Sequence, residues 1–144
     1  MRFMVIVKAD KTSEAGQLSD EKMLAAMGQF NEQLAKAGVI LAAEGLQATS
    51  KGARVRFSGG KTTVIDGPFT ESKELICGFW LWQVKSKEDA IEWLKRAPFA
   101  ETEVEIRQVF EDADFSESDP SGELRKRDRE LRAEFESRRP SDPA

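Results

Sequence analysis

The chain has 144 residues, 40% of them hydrophobic and 33% charged, and a formal net charge of -4, which suits one domain with a tail and disfavours nonspecific binding to nucleic acid or an anionic membrane. It holds no His, no Tyr and a single Cys, so an internal disulfide is excluded, a zinc site is close to excluded, and any proton transfer falls to Asp, Glu or Lys. No apolar run approaches the roughly 20 residues that span a bilayer, and Met1–Lys8 is too short for a signal-peptide core; a cytoplasmic protein is expected.

Phe3–Lys8 sets Phe3, Val5 and Val7 against Met4, Ile6 and Lys8, a strand that is apolar on both faces and therefore central. Residues 9–18 read as a polar loop. Ser19 is the expected N-cap of a helix with Asp20 and Glu21 in its first turn, Met23, Met27, Phe30 and Leu34 on its buried stripe, and Gly38 as its stop. A methionine stripe at that spacing is core rather than a ligand box. Val39–Leu46 is a second strand, interrupted by Glu44-Gly45. Ala53–Ser58 and Lys61–Asp66 form a hairpin turned by Gly59-Gly60, with one polar face.

Asp66-Gly67-Pro68-Phe69 is a sharp turn. A charged step, Glu71-Ser72-Lys73-Glu74, follows it and leads into Leu75–Val84. In that strand Leu75, Cys77, Phe79 and Leu81 point one way; Ile76, Trp80, Trp82 and Val84 point the other. Both sides must be covered. Ser86 caps a second helix with Asp89 at the capping-box position, a buried stripe of Ala90, Ile91, Trp93, Leu94 and Ala97, and Pro98 at its end. Glu103–Phe110 is the last strand.

The order β-α-β-(hairpin)-β-α-β predicts an α+β, ferredoxin-like two-layer sandwich. Two helices cover one face of such a sheet. Trp80 and Trp82 bury roughly 150–250 Å² each when covered, worth several kcal/mol at about 25 cal/mol per Å². A second copy is the economical cover for the other face. The expectation is a homodimer in which these tryptophans, or the strand that carries them, line the sheet-to-sheet region.

The domain is expected over residues 1–111, with 112–144 as an acidic linker and a charged C-terminal helix or flexible tail. Glu123–Arg139 has helical propensity and i,i+4 pairs such as Glu123–Arg127 and Asp128–Arg132. Its large apolar residues, Leu124, Leu131 and Phe135, form only a narrow stripe. It reads as a solvated helix, or as an arm for a partner.

Chemistry has few candidates. Asp66 either orders its turn by accepting backbone N–H bonds near Phe69 or Thr70, or acts as a cleft carboxylate. Glu44 sits in an apolar strand, where burial would raise its pKa and suit it to acid–base work; the alternative is an ion pair with Arg54, Arg56 or Arg107. Phe69, Glu71, Lys73, Trp80, Trp82 and Arg107 are candidate ligand contacts. Cys77 reads as an inert core thiol. Gly59-Gly60-Lys61-Thr62-Thr63 lacks the spacing and the following helix of a phosphate loop. No cofactor and no metal are expected.

Asp66-Gly67-Pro68-Phe69, followed by Glu71, Lys73-Glu74, Gly78-Phe79 and Ala90-Ile91-Glu92-Trp93, resembles the DGPF subgroup of the YCII-related proteins. The opening Met-x-x-Met-Val-Ile-Val, Glu44-Gly45-Leu46 and Val104-Glu105-Ile106-Arg107 match as well, so the resemblance covers about Met1–Phe110. It implies a dimeric α/β barrel of ferredoxin-like units with a cleft between sheet and helices. In some relatives a His–Asp pair sits in that cleft; this chain has no His, so the pair does not carry over. The resemblance also implies a regulatory or stress-related setting.

Three functions follow. The first is a dimer that binds a small molecule in the cleft. The second is a cofactor-independent isomerase or lyase using Asp66 or Glu44. The third is an interaction module acting through the C-terminal helix.

Overall fold

The computed structural model describes residues 1–70 and 74–138. The two-faced first strand, β1 (Arg2–Lys8), lies inside a four-stranded antiparallel sheet. Its neighbours are β5 (Ile76–Gln83) and β6 (Val104–Gln108), and β2 (Ile40–Gly45) lies beyond β5, giving the order β2-β5-β1-β6. This is the mixed α+β arrangement of a ferredoxin-like fold. Val5 stands opposite both Trp80 and Ile106. With side chains alternating, that register sends Phe3, Val5, Trp80 and Trp82 to one face and Met4, Ile6, Phe79 and Leu81 to the other.

The first face is covered by α2 (Glu21–Lys36) and α3 (Lys87–Leu94). Helix α2 starts one residue later than expected. Asp20, not Ser19, is the N-cap, and its carboxylate accepts the Met23 N–H at 2.8 Å. A charged acceptor beside the positive end of the helix is favoured over a neutral hydroxyl one residue upstream. Gly38 closes α2 with a φ of 71°, the left-handed conformation that suits glycine at this position. Ser86 caps α3 through the Asp89 N–H at 3.1 Å. That helix ends at Leu94, short of Pro98, and Ile91 turns outward instead of joining the buried stripe.

The core is aromatic. Phe30 meets Trp80 edge-on at 5.8 Å and Trp82 at 6.2 Å, and Phe99 meets Trp80 at 6.1 Å. Leu34, Phe3, Val5, Val39, Val84 and Ala90 complete it. Trp80 is 4% exposed and Trp82 fully buried. The tryptophans themselves therefore do not line the open face of the sheet: α2 of the same chain covers them. Met4, Ile6, Phe79 and Leu81 form the centre of the open face and remain half-buried.

β3 (Ala53–Ser58) and β4 (Lys61–Asp66) form a separate two-stranded hairpin. Gly59 and Gly60 both have positive φ, 58° and 77°, which is what a two-residue turn between twisted strands requires. Val55 pairs with Val64, and with Phe57 they make one exposed apolar face. The segment expected to be a polar loop contains a short helix, α1 (Lys11–Glu14). Asp10 caps it by accepting the Ser13 N–H at 2.8 Å, and Ser13 Oγ accepts the Asp10 N–H in return.

Met1–Val109 form one compact unit, and a second begins at Phe110. In the second unit the expected linker has structure of its own: a 3₁₀ turn spans Asp112–Phe115, and the Phe110 and Phe115 rings lie 5.3 Å apart. Helix α4 (Glu123–Ser137) has Gly122 at its N-cap, which offers no side-chain acceptor. Asp119, buried within this unit, fills that role. It accepts the N–H groups of Leu124 and Arg125 and pairs with the Arg125 guanidinium at 3.1 Å. The Asp128–Arg132 pair forms at 2.7 Å. Among the described residues the Glu123–Arg127 pair does not, because these ends stay apart in solvent where such a contact is worth little. Leu124, Leu131 and Phe135 are exposed within the unit. Among the described residues no helix is long and apolar enough to cross a membrane.

Candidate functional site between sheet and helix

Helix α2 packs on the sheet through Phe30 and Leu34, and its residues Met27 and Asn31 border a gap against the sheet. There a cavity of about 300 Å³ opens, lined by Val7, Met27, Asn31, Ala43, Trp80 and Phe99, with Ser19 also on its wall. Trp80 reaches it as the buried residue of β5. Gly78 and Gly45 continue the lining along the sheet. A Cβ at Gly78 would stand 3.1 Å from the Glu44 carbonyl oxygen, so the missing side chain lets β2 and β5 approach beneath the cavity. The walls are mainly apolar, with Asn31, Ser19 and Glu44 as their polar residues.

Asn31 is tied to the floor. The Trp80 indole N–H donates to Asn31 Oδ1 at 2.9 Å. The neighbouring Trp82 Nε1–H is buried and has no partner among the described residues. One buried indole is thus bonded to the cleft wall, and the other lies in the core against Phe30.

The candidate residues named from the sequence scatter. Trp80 lines the cleft, whereas Trp82 lies behind it under α2. Glu44 contributes to the cleft wall, yet it pairs with Phe79, so alternation directs its carboxylate to the open face of the sheet. It is exposed, not buried. It also forms no ion pair with Arg54, Arg56 or Arg107 among the described residues. The reason is positional: β2 is an edge strand, and its outward residues reach water. Arg107 lies on the opposite edge, bonded to Glu105 at 3.2 Å. Arg107 first, and then Lys8, hold the Glu105 carboxyl below its ordinary range.

Phe69 lies elsewhere, beside an open hollow of about 570 Å³ lined also by Leu46, Thr49, Arg54 and Leu75. The Arg54 guanidinium sits 3.8 Å from the Phe69 ring centre, a cation–π contact. Asp66 is exposed at the end of β4 and accepts no hydrogen bond among the described residues. The bond expected from it is made by another residue: the Phe69 N–H donates to Thr49 Oγ1 at 3.0 Å. Glu71 and Lys73 lie outside the described residues. Cys77 donates to the Lys8 carbonyl at 3.4 Å, and burial followed by the Asp10 charge pushes its thiol up, away from nucleophilic thiolate. Among the described residues no cluster of three or more His, Cys, Asp or Glu could hold a metal.

Sequence reasoning missed Asn31 and Thr49. Asn31 left a trace, for it occupies the buried stripe of α2 at i+4 from Met27 and three before Leu34.

The model of the YCII-related domain matches residues 1–113. The chain belongs to the YCII-related family. A family relative from Rhizobium meliloti (strain 1021), the uncharacterized protein R00369, is 31% identical over 97 residues, covering 66% of this chain and 78% of that protein. Among solved structures the chain is similar to the 5-chloro-2-hydroxyhydroquinone dehydrochlorinase TftG of Burkholderia phenoliruptrix AC1100, in complex with 2,5-dihydroxybenzoquinone. That likeness has a TM-score of 0.37 and 18% identity, covering 78% of this chain and 98% of the other.

Proposed function

We propose that this YCII-related protein binds a small, largely apolar molecule in the cleft between α2 and the sheet, and that it does so as a homodimer. The observation that carries the first part is the cavity of about 300 Å³ with Trp80 at its base. It has the mainly apolar lining and few polar groups usual for a small-ligand site, and it stands at the lower end of the usual size range. The second part rests on the open face, where Met4, Ile6, Phe79 and Leu81 form a central apolar stripe between Glu44 at one edge and Arg107 at the other. A second copy of the same face would cover that stripe.

Binding is favoured over catalysis by the two candidate carboxylates themselves. Asp66 and Glu44 are both exposed, and Glu44 directs its side chain away from the Trp80 face. Neither has the desolvated setting that acid–base work at neutral pH calls for. The test is a fragment screen followed through the Trp80 indole N–H signal by NMR. Fragments that move this signal in the wild type should fail to do so in Ala43→Phe, which fills the cavity from β2. Fragments that bind both proteins equally, or none that moves the signal, would refute the cleft.

A further inference from the structure

We infer that Asn31 sets the specificity of this cleft, selecting a neutral ring compound that carries a carbonyl oxygen. The inference rests on the cleft-binding reading above. Trp80 is 4% exposed, and its indole nitrogen can only donate. Its contact with Asn31 Oδ1 at 2.9 Å therefore fixes which way round the Asn31 amide sits, since the reverse orientation would set donor against donor. The Nδ2 group at the other end keeps both its hydrogens, and among the described residues it has no hydrogen-bond partner. A residue on the cavity wall is thus held as a donor by a residue at the cavity floor.

The rest of the lining decides what that donor meets. Val7, Met27, Ala43, Trp80 and Phe99 offer aliphatic and aromatic surface, and among the described residues no Lys or Arg lines the cavity. A carboxylate entering here would lose its hydration with no cation to offset the loss. An ammonium would fare no better, because alternation sends the Glu44 carboxylate to the opposite face. A flat ring with a carbonyl oxygen fits both demands: its body lies on the aromatic floor and its oxygen accepts from Nδ2.

Three probes of similar size separate the possibilities: acetophenone, ethylbenzene and benzoate, each titrated into the full chain and followed by the Trp80 indole and Asn31 side-chain amide signals. One neutral hydrogen bond predicts acetophenone binding about two- to tenfold tighter than ethylbenzene. Benzoate should be weakest, and only acetophenone should displace the Asn31 Nδ2 protons. Asn31→Asp keeps an acceptor for Trp80 but removes the donors, so the ratio of acetophenone to ethylbenzene affinity should fall to about one. Equal affinities in the wild type, unmoved Nδ2 protons, tightest binding by benzoate, or a preference that survives in Asn31→Asp would overturn the role of Asn31 while leaving cleft binding in place. If none of the three probes moves a cleft signal, cleft binding itself fails and this inference falls with it.

Discussion

The Thr49 hydroxyl donates to a Glu14 carboxylate oxygen at 2.6 Å. The same hydroxyl accepts the Phe69 N–H at 3.0 Å, and the Thr49 N–H donates to the other Glu14 oxygen at 3.1 Å. One threonine thus joins α1 to the turn that follows β4. All three groups are partly buried, so removing the hydroxyl would leave the Phe69 N–H without its protein partner. Thr49→Val should destabilise the fold by about 2–3 kcal/mol, and Thr49→Ser by much less, since it keeps the oxygen. Urea melts of the two variants decide it. Equal stability of Val and wild type would remove the clamp from the account.

The Asp66-Gly67 pair should divide sharply. Asp66 is exposed and bonded to nothing described, so Asp66→Ala and Asp66→Asn should each stay within about 0.5 kcal/mol of wild type. At Gly67 a Cβ would collide with the Thr49 carbonyl oxygen, and that oxygen belongs to backbone that is itself held by Glu14. Gly67→Ala should cost about 3 kcal/mol. Denaturant melts that rank the two positions the other way would contradict this reading of the turn.

Phe79→Asp places a charge at the centre of the proposed dimer interface. An unpaired charge there should weaken association by about 3 kcal/mol, roughly a hundredfold. Sedimentation at low micromolar concentration should show a dimer for the wild type and a monomer for the variant. A wild-type monomer would rule out the interface.

Asp119 gives α4 a pH dependence with a definite sign. Its hydrogen bond from the Arg125 N–H, aided by the Arg125 side chain and the Leu124 N–H, holds its carboxyl below the ordinary carboxylate range. A depressed native value means the charged form is the one stabilised by folding. The contribution is therefore complete above the unfolded value, near pH 4, and is lost as pH falls through the lower native value. Amide signals of Leu124 and Arg125 should be constant from neutral pH down to about 4 and then change together. Asp119→Asn should flatten that response. A transition above pH 5 would exclude Asp119 as its source.

How much of this was legible follows from the range over which each signal acts. Phe3–Lys8 and Leu75–Val84 announce buried strands because alternation is read within a few residues, and Ser86 announces its helix through a cap three residues from its partner. Alternation alone does not say which face of a two-faced strand the helices take. The register of Val5 with Trp80 is needed to place Trp80 and Trp82 under α2, which leaves only the strand that carries them to face a second sheet. Glu44 read as buried because its neighbours are apolar, but β2 is an edge strand and its outward residues meet water. The Glu14–Thr49–Phe69 clamp joins residues 35 and 20 positions apart, and no local pattern encodes it. Asn31 was within reach, as a polar residue on an otherwise apolar helical stripe.

The place of β1 sets a timetable for the chain as it is made. Among the described residues Arg2–Lys8 pairs only with strands that begin at Ile76 and Val104. At about 5–20 residues per second on the ribosome, the first strand waits several seconds for one neighbour and longer for the other. During that time it is an apolar segment with both edges open, the kind of nascent stretch that chaperones hold and that pairs with the wrong strand. Chains arrested before Ile76 should show β1 amides exchanging freely with solvent, with protection appearing only when β5 has emerged.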